Sequence, residues 1–336
     1  MGQHFLLSTA ARELSVHDVA CMQERTAYNW FLKARWGEGK PACPECGRPN
    51  AYNMTRQRFR CSDVHCRRDF TATSGTVFAS RKLSFKKILL ALLLSANSVK
   101  GKAALQLSRE IDISYKSAWV LLMKIREAIS MEREWIKLSG VVEIDGMHIN
   151  PHIRKENKKE DNETPEAKEK RKNIREQRHR LVMGLRARGG RTVTAITTSE
   201  NARDASSLVT TFVDEDAVVV SDQNRAYDSL ALLRKTERTD HSKHYVGENK
   251  ESTNQIESFF SRARRSMKGI HHRMSDKYRD WYMAELAWRE DMRRKTNKWQ
   301  TRRFLESVLW LPQSRHMTGY WQGNKLPGEI IWNSGG

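Results

Sequence analysis

The chain has 336 residues and carries 60 lysines and arginines against 40 aspartates and glutamates, a net charge of +20. That length is enough for two or three domains, one with a sizeable core, and the charge calls for a polyanionic partner, nucleic acid before any other. A membrane span is excluded, since the longest apolar run, Ile88 to Leu94, falls far short of the roughly 18 residues required, and no charged segment followed by an apolar one marks a signal peptide.

Residues 1 to about 40 read as helical. The stretch from Ala27 to Trp36 has a dense aromatic face, formed by Tyr28, Trp30, Phe31 and Trp36, suited to packing against the next module. Cys21 stands alone and is expected to be a small buried residue. The other four cysteines come in two pairs, Cys43-Pro44-Glu45-Cys46 and Cys61 with Cys66. In an intracellular protein such pairs read as metal ligands rather than disulfides. Four thiolates close a tetrahedral structural zinc site with no open position. Gly47, Pro49 and the basic run Arg56 to Arg60 between the pairs suit a zinc ribbon. The second pair is more widely spaced than usual, so His65 stands as an alternative ligand.

From Ser84, a plausible N-cap, the pattern becomes helical and then wholly apolar through Leu94. A second helical segment runs from Lys102 to Glu110. A third opens at Ser114, after the turn Ile111-Asp112-Ile113. Three helices with a short turn before the last fit a helix-turn-helix, with Lys116 and Ser117 facing the major groove. An ordinary three-helix bundle is the alternative, and the charge and the zinc ribbon favour DNA.

The strand Val141 to Ile149 follows, apolar and β-branched except for Glu143 and Asp145. Side chains alternate along a strand, so these two carboxylates share a face. A buried acid at such a place is costly unless it is paired or binds a metal. Residues 154 to 179 are charged with almost no apolar positions, a solvated loop or a helix without a core face. Strands are then expected at Leu181–Leu185 and Thr192–Thr197, joined by the turn Arg188-Gly189-Gly190-Arg191. A helix from about Asp204 to Phe212 leads to the buried strand Ala217 to Asp222. A short helix at Tyr227–Leu233, a short strand at His244-Tyr245-Val246 and a helix from Thr253 to Lys268 complete the series. The order β-β-β-α-β-α-β-α is that of an RNase H-like α/β domain, a mixed five-stranded sheet flanked by helices.

Such a domain would gather three carboxylates: Asp145 on its first strand, Asp222 ending its fourth, and Glu257 on its last helix, with 34 residues between it and Asp222. Two Mg²⁺ or Mn²⁺ ions about 4 Å apart can activate an attacking oxygen and stabilise a leaving one in phosphoryl transfer. Asp145 would bridge them, with Asp222 and Glu257 each holding one. On the last helix Ile256, Phe259, Phe260, Ala263 and Met267 form a core stripe. Glu257, Ser261, Arg264 and Lys268 form the adjoining one, which puts two phosphate-gripping cations beyond the carboxylate. Glu143 could assist the site or replace a ligand, and Asp228 is expected to be structural. His148 is ambiguous. His241, His244, His271 and His272 are each expected at the surface or on phosphate.

These residues resemble the bacterial insertion-sequence DDE transposases that carry an N-terminal zinc ribbon, the ISXO-like group. The resemblance covers roughly residues 25 to 290. It is carried by Arg35-Trp36 through Cys46, Gly75-Thr76-Val77-Phe78, Val142-Glu143-Ile144-Asp145, Ser221-Asp222 with Tyr227 and Leu230, His241-Ser242-Lys243, Thr253-Asn254-Gln255-Ile256-Glu257-Ser258-Phe259-Phe260, and Lys268-Gly269 with His271-His272. It implies an RNase H-like catalytic domain, a divalent metal, and cutting and joining at inverted-repeat ends of double-stranded DNA. It also implies a dimer or larger assembly on DNA in the bacterial cytoplasm, at the nucleoid. The sequence departs from the group in two places, at Arg264 and at the closing segment, and it offers an alternative third residue in Asn254. Arg264 stands where a lysine is frequent, and arginine is a planar fork rather than a point charge. Asn254 competes with Glu257, because some relatives use asparagine as third residue. Trp288-Arg289-Glu290-Asp291 replaces the group's closing Phe-Arg-Tyr-Asn.

The expected organisation is an N-terminal helical segment (1–40), a zinc ribbon (41–80), a helix-turn-helix region (81–135), a catalytic domain (138–310) with a charged insertion (154–179), and a C-terminal tail (311–336). A non-catalytic DNA-binding regulator is the alternative, and a stand-alone nuclease a third possibility.

Overall fold

The structure, a computed structural model, describes residues 5–149, 164–239, 252–272 and 274–332, with the side chains of 171 and 174–178 left aside. In chain order its elements are α1 (Val16–Cys21), α2 (Glu24–Trp36), β1 (Tyr52–Met54), β2 (Arg58–Arg60), β3 (Asp69–Thr71), α3 (Phe85–Asn97), α4 (Ala104–Glu110), α5 (Tyr115–Glu132), β4 (Val141–Ile149), α6 (Pro165–Arg178), β5 (Arg180–Ala187), β6 (Thr192–Thr197), α7 (Ala202–Phe212), β7 (Val218–Ser221), β8 (Lys235–Arg238), α8 (Asn254–Gly269), α9 (Arg279–Met292) and α10 (Asn297–Trp310). Among the described residues no helix is long and apolar enough to cross a membrane. Two compact units emerge: Met1–Glu132 with Met292–Lys325, and Arg133–Asp291 with Leu326–Gly336.

In the first unit the aromatic face of α2 does the packing its sequence calls for. Phe31 meets Phe85 edge-on at 4.7 Å and Phe78 at 6.2 Å, and Tyr28 lies 5.0 Å from Phe85. Trp36 packs on Phe59 and Phe70, the inward residues of the antiparallel β1-β2-β3 sheet. Arg35 fastens this joint by donating to the carbonyls of Thr71, Ala72 and Ser74. Glu24 accepts from the backbone N–H groups of Phe85 and Lys86, and Ser84 caps α3 by accepting from Lys87 N–H. Free N–H groups at a helix start are satisfied in this way.

The segment α4–turn–α5 has the expected boundaries, with Asp112 in the left-handed region (φ 48°) and Ser114 accepting from Ser117 N–H. Helix α10, expected to close the second unit, instead packs with α2, α3 and α5 in the first. Its buried Thr301, Phe304, Leu305 and Val308 need an apolar partner, which α3 offers. Cys21 is exposed rather than buried, because α1 has only six residues and buries Val19 alone.

The second unit is built on a five-stranded mixed sheet in the order β6-β5-β4-β7-β8, the mixed α/β architecture the sequence called for. β4 is central, antiparallel to β5 and parallel to β7. Its alternation sorts two cores. Val142 and Ile144 join α7 on one face, while Met147 and Ile149 join Ile256, Phe259 and Phe260 of α8 on the other. Glu143 and Asp145 therefore look toward the α8 face. Gly184, the register partner of Asp145, makes the approach of α8 possible, since a Cβ there would lie 2.7 Å from Ile256 Cδ1 and 2.9 Å from Phe260 Cζ.

The fifth strand of the described sheet is Lys235–Arg238, parallel to β7, and the strand expected at residues 244–246 lies outside the described residues. The segment expected as a helix at 227–233 is a 3-10 helix, Arg225–Leu232. Within 154–179, α6 is a charged helix whose side chains at 165–170 are exposed. The closing Trp288-Arg289-Glu290-Asp291 is structural. Glu290 pairs with Arg262 and Arg186, and Asp291 binds Arg186, Arg191 and Thr192. The tail is not pendant at its end. Trp332 donates its N–H to Ile196 O and packs on Phe212.

Candidate active site and zinc centre

Two clusters carry chemistry, one in each unit. In the first, Cys43, Cys46, Cys61 and Cys66 bring their Sγ atoms within 4.8 Å of one another. Cys43 and Cys66 are 3.8 Å apart, and Cys46 and Cys61 are 3.5 Å apart. Tetrahedral coordination with Zn–S near 2.3 Å requires sulfur separations of about 3.8 Å, so the donor set fits zinc. Burial opposes ionisation of Cys43, but the Cys46 and Glu45 N–H groups and the neighbouring thiols draw it down to about 7. Burial pushes Cys61 up to about 12. His65 is not in the cluster, and its backbone N–H donates to Asp63 in the turn that presents Cys66.

In the second unit Asp145 sits at mid-strand with one carboxylate oxygen accepting from Gly146 N–H at 2.7 Å. Its carboxyl is pushed up to about 7, first by burial and then by the negative charges of Asp222, Glu200 and Glu257. Those three acids come from three separate segments: the β6–α7 connection, the end of β7 and the first turn of α8. Asp222 follows β7 directly and accepts from Asn224 N–H at 2.9 Å. Glu257, exposed on the first turn of α8, accepts from the Thr253 hydroxyl at 2.7 Å. Among the described residues these carboxylates do not form a group whose ligand oxygens all lie within 4.8 Å. A site for two cations has no need of one, because its outer ligands face different ions.

Glu200 is the residue that sequence reasoning missed. It stands alone between β6 and α7, with no motif around it. Tyr227, fully buried, donates its hydroxyl to Glu200. A Cβ at Gly146 would lie 2.6 Å from Glu200 Oε1, so Gly146 keeps open the space that lets this carboxylate reach the Asp145 strand. The available signal was Gly146 itself, because a glycine inside a strand marks a close approach.

Glu143 does not meet solvent. Its fully buried carboxylate accepts from the N–H groups of Gln255 and Ile256 at 2.8 and 3.0 Å, and from Arg188 Nε at 3.0 Å. It thereby caps the helix that carries Glu257, and Arg188 extends the clasp to the Ser252 carbonyl. Asn254 is exposed at the start of α8, and Arg264 and Lys268 are exposed on the stripe of Glu257, as the spacing requires. Asp228 pairs with Arg238. His148 is exposed and stacks on His179 at 4.9 Å. His271 is buried against Tyr282 rather than at the surface, because the chain folds back over the end of α8 there. His241 and His244 lie outside the described residues. In the first unit Lys116 is exposed, with its ammonium 5.2 Å from the ring centre of Trp321.

The donor chemistry suits a hard divalent cation. Asp145 is a largely buried acid, and the charges acting on it are themselves carboxylates, an arrangement that a cation relieves. Two family models match the chain. Residues 137–291 match the ISXO2-like transposase domain, and residues 22–69 match the transposase zinc-ribbon domain. None of the curated proteins matches the chain.

Proposed function

We propose, for a chain that its two matched domains make an ISXO2-like insertion-sequence transposase, that it cuts and joins DNA at the ends of its element with the acidic site on β4, β7 and α8. The observation that supports this best is the placement of Asp145 on β4, of Asp222 just past the neighbouring parallel strand β7, and of Glu257 on α8, which packs on β4.

In the proposed reaction, water attacks the phosphodiester at the element's end. Its oxygen bonds to phosphorus as the 3′-oxygen leaves with the bond pair and takes a proton. The freed 3′-hydroxyl then attacks a target phosphodiester, losing its proton as a second 3′-oxygen departs. Asp145, Asp222 and Glu257 would together hold the two Mg²⁺ or Mn²⁺ ions. Bound there, these ions supply Lewis acidity toward the attacking and leaving oxygens. The chain's own part is to hold and orient. Thr253 fixes the Glu257 carboxylate. Arg264 and Lys268, one and two helical repeats farther along α8, grip DNA phosphate beside the reacting one. The β6-β5-β4-β7-β8 order supports an RNase H-like reading of this domain.

The zinc ribbon and the α4–turn–α5 pair would recognise the terminal repeats in double-stranded DNA, with α5 in the major groove. Two ends must be joined, so a dimer or larger assembly on DNA is expected. The test is to incubate wild-type and Asp145→Ala protein with Mg²⁺ or Mn²⁺ and DNA bearing the inverted repeats that flank the gene. Strand transfer by wild type alone supports the reading. Cleavage without joining reduces it to a nuclease, and metal-independent binding with neither reaction overturns it in favour of a DNA-binding regulator.

A further inference from the structure

Within the first unit, a cavity of about 800 Å³ lies between α2 and the start of α10. Trp30 and Trp299 give it aromatic walls, and its lining has five cationic side chains against the single acid Glu13. Glu13 is already engaged, accepting from the Thr296 hydroxyl at 3.1 Å. Trp299 is 40% exposed, and Arg294, Lys295 and Lys298 beside it are exposed. Lys295 Nζ is 5.7 Å from the Trp299 ring centre. Thr296 caps α10 by accepting from Trp299 N–H, which fixes Lys298 and Trp299 in the first turn of the helix, at its positive end. Asn297 and Leu14 hold the wall through two hydrogen bonds. Lys33 and Arg302 pair with Glu38 and Glu306, and exposed pairs of this kind are readily exchanged for another anion.

A groove that merely joined two helices would be lined by apolar or charge-balanced side chains. Indole faces with a surplus of cations are instead what binds an unpaired nucleic acid strand: bases stack on the rings, and phosphates meet the cations. A duplex keeps its bases stacked inside and cannot offer them to a cavity of this size. We propose that this groove holds an unpaired stretch of DNA, with bases against Trp30 and Trp299 and phosphates on Arg294 and Lys298. The proposal rests on the transposase reading only for the identity of the polymer. A transposase that cuts DNA ends exposes such strands.

The test uses full-length, zinc-loaded protein and a short fluorescein-labelled oligothymidylate, read by anisotropy. Competitors are a mixed-sequence duplex, an oligouridylate of equal length and ATP. The oligothymidylate should bind, and Trp299→Ala should weaken it about tenfold, the scale of one lost base stack. Trp299→Phe, which keeps a flat ring, should restore most of the affinity. Arg294→Ala and Lys298→Ala should each lower the salt slope by about 0.7. Duplex affinity should stay within about twofold of wild type in all these variants. The proposal is overturned if the oligothymidylate does not bind, if Trp299→Ala and Arg294→Ala leave its binding unchanged, or if oligouridylate or ATP displaces it preferentially. Asp145→Ala keeps the two readings separable. It should abolish strand transfer without altering oligothymidylate affinity, so a failure of the groove would leave the acidic site standing, and the converse.

Discussion

Glu143 and Glu257 are joined through a helix: the buried carboxylate of Glu143 receives the N–H groups of Gln255 and Ile256, the residues just before Glu257. Because Glu143 is on the strand of Asp145, a single peptide segment fixes both the first acid and the helix that brings the third. Removing this carboxylate strips the cap from α8 and leaves the Arg188 guanidinium without its partner. Glu143→Ala should cost about 3–5 kcal/mol, the scale of breaking a buried pair, measured as a shifted denaturation midpoint. Glu143→Gln should retain more stability and still lose strand transfer. A variant with unchanged stability and transfer would sink this account.

The pH dependence follows from Asp145. Its carboxyl stands near 7 in the folded chain against an ordinary 3.8. Between those values the folded protein holds a proton that the unfolded chain has released, so metal-free stability falls as pH rises across that window. Asp145→Asn should therefore match wild type near about pH 4 and exceed it in melting temperature above about pH 7. Added Mn²⁺ competes with the same proton, so its stabilisation of wild type should grow from about pH 6 to about pH 8. Thermal melts in both conditions decide it.

Tyr227 and Glu200 are expected to act together. Tyr227→Phe removes the hydroxyl that orients the Glu200 carboxylate beside the Asp145 strand. Strand transfer should fall about 10- to 100-fold, the usual effect of losing a group that orients a metal site. Glu200→Gln should do the same, and the double variant should be no worse than the single ones. Additive losses in a double-mutant cycle would show that the two act apart.

Gly184 supplies a steric test. Gly184→Ala drives a methyl into Ile256 and Phe260, and overpacking of this kind costs about 1–3 kcal/mol. It should displace the helix carrying Glu257 and so lower transfer activity beyond the loss of folded protein, read from activity per folded molecule.

Zinc removal should reach beyond the ribbon. Trp36 and Arg35 tie α2 to β2 and β3, so Cys46→Ser or chelation should release one zinc and open residues 43–71 to protease. Helical ellipticity should fall as α2 loosens, since metal binding and folding are coupled in such sites. Undiminished ellipticity after complete zinc loss would contradict this.

Much of the site was legible because its residues sit in regular elements with a clear period. The alternation at 141–149 put Glu143 and Asp145 on one face, and the stripes of α8 separated Ile256 and Phe260 from Glu257 and Arg264. The four cysteines announced themselves by spacing. Glu200 did not, because a lone acid in a connection has no period, and only its closeness to Gly146 gives it meaning. Glu143 was legible as a carboxylate but not as a cap, since its partners are 112 and 113 residues away. The strand Lys235–Arg238 was obscured by charge: an edge strand carrying Lys, Glu and Arg lacks the apolar signature, and edges favour such residues. Helix α10 belongs to the first unit and not the second, and continuity along the chain is a poor guide when a unit is completed from both ends.

That last feature bears on synthesis. The unit holding the zinc ribbon and α5 is finished by α10, encoded after the entire acidic domain. A ribosome delivers α2, α3 and α5 long before the helix that covers them, so the apolar face of α3 waits, exposed, through the making of about half the chain. Premature termination would thus leave no well-folded N-terminal fragment. Supplying residues 292–325 in trans, as a separate peptide, would be the way to rescue one.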